Sequence, residues 1–234
     1  MLCGNYVPQS LIDEVKAVSP KTEVLNIYGV SELPGPAFFG DNPAPESCGQ
    51  RLGCFQYRII NIDTNQEIDK PNVPGELWIK RPYLFKGYYN DPEATKENFT
   101  KDGWLKTGDI FKRDEHWNFF FLERIKLLMY PSRIEIVISP LEIENAIRKH
   151  VGVSDVAVTS ISNIKFGDLP VAFVVPRPRA ELSADDIKNF VIDSLGEEKR
   201  LQGGVIFIDS IPLNANSKVD RRKLKELAQE LPRT

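Results

Sequence analysis

The hydrophobic positions of this 234-residue chain change their period partway along it. In the first half, short runs alternate apolar and polar residues, as at Phe55, Tyr57 and Ile59 of "GCFQYRIINIDTN" and at Leu77 and Ile79 of "GELWIKRP". A period of two buries one face of a strand, and the clusters of Pro, Gly, Asn and Asp between the runs supply turns. The pattern predicts a twisted sheet or a small barrel. Ahead of it, "MLCGNYVPQSLIDEVKAVSPKTEVLNIYGVSE" reads as strand, helix and strand. One such βαβ unit cannot cover both faces of a parallel sheet, so it reads as the interior of a larger α/β layer.

From Ser139 onward the pattern becomes mixed. Ser139, Pro140 and Glu142 supply an N-cap, a first-turn proline and the acidic partner of a capping box, and Arg148, Lys149 and His150 fall in the last turn before Gly152. "VSDVAVTSI" and "PVAFVVP" read as adjacent strands, Ser183 with Asp186 starts a helix ending near Gly196, "GVIFIDSI" is a further strand and "RRKLKELAQEL" a last helix. The order α-β-β-α-β-α predicts a compact α+β domain without internal repeats.

Composition narrows the function classes. A 41% hydrophobic content supports a buried core, and a net charge of -3 with both signs interspersed argues against a general nucleic-acid or anionic-membrane surface. No apolar run is long enough to span a bilayer, and "MLCGNYVPQS" lacks the features of a signal peptide. Cys3, Cys48 and Cys54 show neither zinc spacing nor a disulfide framework. Together these features point to a reducing, cytoplasmic setting; "LPRT" is not a peroxisomal ending.

Three polar clusters follow apolar stretches: "NIYGVSE" (Asn26 to Glu32), "GWLKTGDI" (Gly103 to Ile110) and "ERIK" (Glu123 to Lys126). Polar residues at strand ends are where α/β folds bind ligands. A fourth, "PLNANSKVDRRKLKEL", sets Lys218 in a polar turn ahead of a basic helix start. Singly, each has a bland reading: Asp109 as a turn residue after Gly108, "YGVSE" as a strand end with a helix cap, "ERIK" as a solvated charged turn, Lys218 as surface charge.

In this order, with "GELWIKRPYLFKGYYNDPEAT" between the first two, the clusters resemble the adenylate-forming, AMP-binding superfamily, in its acyl-CoA synthetase, 4-coumarate-CoA ligase and firefly-luciferase-like branch. The resemblance covers nearly the whole chain. It implies an α/β and α+β architecture: residues 1–122 as the end of a large AMP-binding domain (the βαβ remnant plus a small β-barrel-like subdomain), 123–126 as a hinge, and 127–234 as a mobile α+β domain. It implies that a carboxylic acid attacks the α-phosphate of ATP, giving an acyl-adenylate and pyrophosphate, and that coenzyme A then takes the acyl group as a thioester.

The resemblance also implies residue roles. Asp109 accepts the ribose hydroxyls, Glu32 binds Mg²⁺, Tyr28 stacks near adenine, and Gly29 lets the backbone approach the ligand. Ser31 keeps the hydroxyl of a usual threonine. Arg124 contacts ribose or phosphate, Lys126 marks the hinge, and Lys218 meets the substrate carboxylate and α-phosphate. Arg221, Arg222, Lys223 and Lys225 read as a solvated helix face rather than a nucleic-acid site.

Departures accompany the resemblance. The superfamily's Gly-rich phosphate loop ending in Pro-Lys-Gly does not occur, so the chain reads as the C-terminal portion of an adenylating enzyme, and a silent binding or regulatory module is the competing reading. After "ERIK" the segment "LLMYPSRIEIVISPLEIE" is longer than usual, with Met129, Tyr130 and Pro131 at flexible or basic positions, which bears on the thioester step. Ser217 replaces the glycine before the catalytic lysine.

Overall fold

A computed structural model describes residues 7–39, 44–82, 84–132 and 136–233, without the side chain of Ser10. The chain divides into two compact units, Met1–Ile125 and Lys126–Thr234. No helix among the described residues is long and apolar enough to cross a membrane.

In the first unit, α1 (Gln9–Val18) forms where Val7 and Ile12 can be buried, and it stops at Ser19, before Pro20. Proline cannot continue a helix. The strand expected before α1 lies largely outside the described residues. The one expected after it is not a ladder strand: Tyr28 makes an isolated antiparallel bridge to Phe38. Short strands β1 (Phe38–Phe39) and β2 (Gln50–Arg51) pair with each other. The main sheet is a four-stranded antiparallel meander of β3 (Gln56–Ile60), β4 (Gly75–Lys80), β5 (Leu105–Arg113) and β6 (Phe119–Arg124). Between β4 and β5 lies α2 (Pro92–Asn98), capped by Asp91, whose carboxylate accepts the Ala94 N–H.

The alternation expected of β4 is present: Gly75, Leu77 and Ile79 are buried while their neighbours are partly exposed. The Leu77 and Ile79 side chains meet Phe38, Phe111 and Phe119 in one cluster, where the Phe38 and Phe119 rings stack with centroids 4.2 Å apart. Burial of each such side chain is worth about 1.5–3 kcal/mol. Strand β5 departs from alternation. A register shift between Ile110 and Phe111 leaves Asp109, Ile110 and Phe111 buried in succession. Such bulges re-aim side chains.

In the second unit the helices and strands follow the expected order: α3 (Pro140–Ile147), β7 (Val153–Asn163), β8 (Gly167–Pro176), α4 (Ala184–Leu195), β9 (Gly204–Phe207) and α5 (Arg221–Glu230). Strands β7 and β8 pair antiparallel and β9 joins β8 in parallel, so β7 is an edge strand. Alternating residues face opposite layers. Val156, Val158, Ala172 and Val174 pack with Ile143, Ile147, Ile187 and Val191 of α3 and α4. Ala157, Val171 and Phe173 pack with Leu224 and Ala228 of α5.

Both expected N-caps form, although the Glu142 carboxylate expected to complete a box with Ser139 pairs with Lys199. The Ser139 hydroxyl accepts the Glu142 N–H, and Ser183 and Asp186 make a reciprocal capping box. Helix α3 ends slightly early: Arg148 is its C-cap, and Lys149 and His150 lie in the following turn. The segment after "ERIK" has a packing reason for its apolar residues. Met129 is 1% exposed inside the α3/α4 core and bridges Ile138, while Pro131 bridges Gly167 at the start of β8. Arg133, Ile134 and Glu135 of that segment lie outside the described residues.

Candidate functional site

The site begins with a glycine. Gly108 has φ +69°, in the left-handed region that favours glycine, and its N–H donates to Glu76 Oε1 at 3.0 Å. The other oxygen of Glu76 takes the Trp78 indole N–H at 2.7 Å. On the other side of the turn, the Thr107 hydroxyl donates to Leu77 O at 2.7 Å and accepts the Asp109 N–H at 3.2 Å. Side chains from β4 and β5 thus pin the Thr-Gly-Asp corner, and Asp109 is carried inward to 1% exposure.

Asp109 has two different oxygens. Oδ2 accepts the Tyr28 hydroxyl at 2.7 Å. Oδ1 lies 2.9 Å from Arg124 Nε as an ion pair, yet it is buried without a hydrogen-bond partner. The guanidinium supplies charge at Oδ1 with an N–H that is poorly aimed, so the acceptor capacity of this buried oxygen is not fully used. Arg124 is Asp109's cross-strand partner in the β5–β6 ladder, and its side chain is 59% exposed. Burial pushes the Asp109 carboxyl above its ordinary range, against the Arg124 charge and the Tyr28 hydrogen bond, which pull it down. Burial, then the Asp109 charge, pushes the Tyr28 phenol well up, so it stays a donor.

The Tyr28 ring packs edge-on to Phe111 and stacks on Phe38, with centroids 4.7 and 5.6 Å apart. That contact fixes its hydroxyl toward Asp109. Gly29 and Ser31 are exposed; a Cβ on Gly29 would come 3.4 Å from Pro36 Cα. Glu32 is half-buried and accepts the Tyr88 hydroxyl on Oε1 at 2.6 Å. Burial, with this carboxylate, pushes the Tyr88 phenol up to about 12. Among the described residues no group of three or more His, Cys, Asp or Glu could hold a metal ion. A hard cation at Glu32 would rely on one carboxylate plus phosphate and water, the usual arrangement for Mg²⁺, and the half-buried carboxylate fits that demand.

The structure thus joins Tyr28, Asp109 and Arg124, and separately Glu32 and Tyr88, within the first unit. In the second unit Lys126 is exposed in a single 3-10 turn, Ile125–Leu127, at the boundary between the units. Lys218 is exposed on a turn between Leu213 and Val219, which bridge each other. Sequence reasoning missed Glu76, Thr107 and Tyr88. All three lie in quoted runs, Thr107 in "GWLKTGDI" and Glu76 and Tyr88 in "GELWIKRPYLFKGYYNDPEAT", but nothing local marks them as partners of Asp109's corner or of Glu32.

Arg221 corrects the reading of a solvated basic face. Its side chain is 25% exposed and its Nη1 lies 2.7 Å from Oε1 of Glu144, which is 2% exposed. Arg222, Lys223 and Lys225 are exposed.

Comparison with known proteins names the family of this two-unit chain, whose buried acid faces an arginine at a Thr-Gly-Asp strand corner. The model for "AMP-binding enzyme" matches residues 1–89, and that for "AMP-binding enzyme C-terminal domain" matches 142–218. Luciferin 4-monooxygenase of Nipponoluciola cruciata is 33% identical over 87% of this chain and 37% of its own length. 4-Coumarate–CoA ligase 1 of Arabidopsis thaliana is 35% identical over 93% of this chain and 39% of its own. Acyl-CoA ligase lcsD of Purpureocillium lilacinum is 32% identical over 90% of this chain and 56% of its own. Among solved structures, ATP-bound MatB from Rhodopseudomonas palustris superimposes with a TM-score of 0.87 at 27% identity, over 97% of this chain and 45% of that one. The chain belongs to the AMP-binding enzymes, and the curated relatives it resembles are a luciferase, a 4-coumarate–CoA ligase and an acyl-CoA ligase. It spans between about two fifths and just over half the length of these curated relatives.

Proposed function

We propose that this chain carries the ribose, metal and lysine elements of an acid–thiol ligase, which activates a carboxylic acid with ATP as an acyl-adenylate and passes the acyl group to coenzyme A. The observation that carries the reading is Asp109 Oδ1, a buried carboxylate oxygen beside Arg124 with no hydrogen bond. A ribose diol supplies the donors that oxygen lacks, each worth about 1.5–3 kcal/mol to a charged acceptor. Tyr28 holds the other oxygen still, so the acceptor is oriented before ligand arrives.

Arg124, largely exposed, offers its remaining guanidinium N–H groups to ribose or phosphate. Glu32 would hold Mg²⁺ through its carboxylate, and the ion would supply positive charge for the phosphates. Lys218 supplies the positive charge for the reacting carboxylate and α-phosphate. A cation about 4 Å from an oxyanion at an effective dielectric near 20 is worth about 4 kcal/mol, roughly a thousandfold in rate. Residues 1–122 form the nucleotide-binding part, 123–126 the hinge with Lys126, and 127–234 the lysine-bearing part. A second reading, a module that binds without turnover, is favoured by Ser217, which takes φ +56° directly before Lys218 where glycine would be unstrained.

Calorimetric titration of the chain with ATP and Mg²⁺ tests the proposal. Saturable binding near the micromolar range is expected, falling about tenfold or more in Asp109→Ala. Acid-dependent ATP–pyrophosphate exchange that drops by orders of magnitude in Lys218→Ala supports catalysis. Binding without exchange supports the module. No saturable binding overturns both.

A further inference from the structure

A buried carboxylate of α3, Glu144, meets the free edge of β7. Glu144 Oε1 accepts the Val158 N–H at 2.8 Å and Arg221 Nη1 at 2.7 Å. Arg221 Nη1 also donates to Val158 O at 2.5 Å. One turn along α3, Arg148 sits 3.6 Å from Glu144 Oε2 and donates to Val156 O at 3.3 Å, while the Val156 N–H goes to Asp155 Oδ1 at 2.8 Å. Side chains thus meet the outward backbone groups of Val156 and Val158, which blocks an edge that would otherwise recruit another strand. Through this edge, α3 on one face of the sheet is tied to α5 on the other.

Arg221 is the first residue of α5, a position where the helix dipole disfavours a cation. It also lies three positions after Lys218. The intervening turn is internally closed. Asn214 Oδ1 accepts the Asn216 and Lys218 N–H groups at 2.9 and 3.1 Å, and Asn214 N donates to Lys218 O at 2.7 Å. Asp220 N donates to Pro212 O at 2.8 Å, closing the base. The turn is therefore a small rigid unit, fastened to the sheet where Arg221 meets Glu144. A cation that must reach a reacting centre needs such an anchor, because misplacement by an ångström costs rate.

We propose that the Glu144–Arg221 pair is the positioning device for Lys218, holding the Pro212–Asp220 turn in one place on the second unit. This rests on the reading of Lys218 as the reacting cation. Glu144 and Arg221 are positioning residues, acting through the turn.

The test uses the whole chain and two mild variants. Glu144→Gln keeps an acceptor but removes the charge; Arg221→Lys keeps the charge but loses the planar guanidinium whose Nη1 donates to both Glu144 Oε1 and Val158 O. Amide hydrogen exchange is followed over 212–221, with Val171–Val174 of β8 as internal reference. In either variant, exchange at Asn216 and Lys218 should quicken about tenfold or more with β8 unchanged. ATP–pyrophosphate exchange should fall in kcat while KM for ATP holds. Unchanged exchange in the turn overturns the proposal. So does an equal rise in the turn and β8, which a merely stabilising ion pair would give. If Lys218→Ala leaves pyrophosphate exchange intact, Lys218 loses its catalytic reading, whereas selective loosening of the turn still establishes the anchor.

Discussion

Tyr28 and Asp109, 81 positions apart in the chain, are joined by a 2.7 Å hydrogen bond in which the phenol donates to the carboxylate. The bond divides the work of one buried side chain: Oδ2 is held from within the fold, and Oδ1 faces Arg124 with its acceptor capacity not fully used.

Tyr28→Phe keeps the ring contacts with Phe38 and Phe111 but removes the donor. Losing a hydrogen bond to a buried charged acceptor costs about 1.5–3 kcal/mol, so nucleotide affinity should fall roughly tenfold or more. Calorimetry checks the affinity, and thermal unfolding should show a lower Tm. An unaltered Kd would mean that the phenol does not orient the acid.

Asp109→Asn separates binding from stability. The Asp109 carboxyl is raised in the folded state, chiefly by burial, so the folded chain binds its proton more tightly than the unfolded chain does. Stability from this group is then greatest below the unfolded carboxylate range and is lost as pH rises through the folded value. At neutral pH the ionised group costs stability. Asp109→Asn should therefore raise the unfolding free energy at pH 7, with the gain shrinking as pH falls into the carboxylate range, while nucleotide binding weakens. Denaturant titrations at several pH values read the effect. A gain that grew in acid would contradict the assignment.

Two glycines should respond differently to alanine. A Cβ on Gly108 meets nothing within 4 Å, so its cost is the left-handed backbone alone, about 1–2 kcal/mol. A Cβ on Gly75 would lie 2.5 Å from Ile60 O and 2.8 Å from Ile59 Cγ2, which forces the β3–β4 pair apart. Gly75→Ala should lower Tm markedly more than Gly108→Ala, whereas only the latter should weaken nucleotide binding out of proportion to its stability loss.

Ser217 has φ +56°, a conformation glycine adopts without cost. Ser217→Gly should leave stability level or raise it by up to about 1 kcal/mol, and Ser217→Val should lower it. If the strain also limits Lys218, the glycine variant should quicken ATP–pyrophosphate exchange without altering KM for ATP.

Much of the second unit was legible in sequence, because its signals are local. Ser139 with Pro140, and Ser183 with Asp186, start their helices through bonds spanning three residues, and the apolar runs in "VSDVAVTSI" and "PVAFVVP" are the continuously buried stretches of β7 and β8. Motif residues such as Asp109 and Arg124 were equally visible as types in order. The segment ending at Tyr28 was misread as a strand, since its apolar run is equally suited to a bridged, irregular path packed on Phe38 and Phe111. Arg221 was misread as solvated because a run of basic residues is the same string whether or not a buried carboxylate stands opposite.

Periodicity, caps and turn residues, all decided within a few neighbours, settled the order of the elements and which of their faces are apolar. Partnerships between remote polar groups were settled only by folding: Tyr28 with Asp109, Tyr88 with Glu32, and Arg221 with Glu144. Their energies come from desolvation and directed hydrogen bonds, and both exist only once strands distant in sequence bring the groups within about 3 Å of each other.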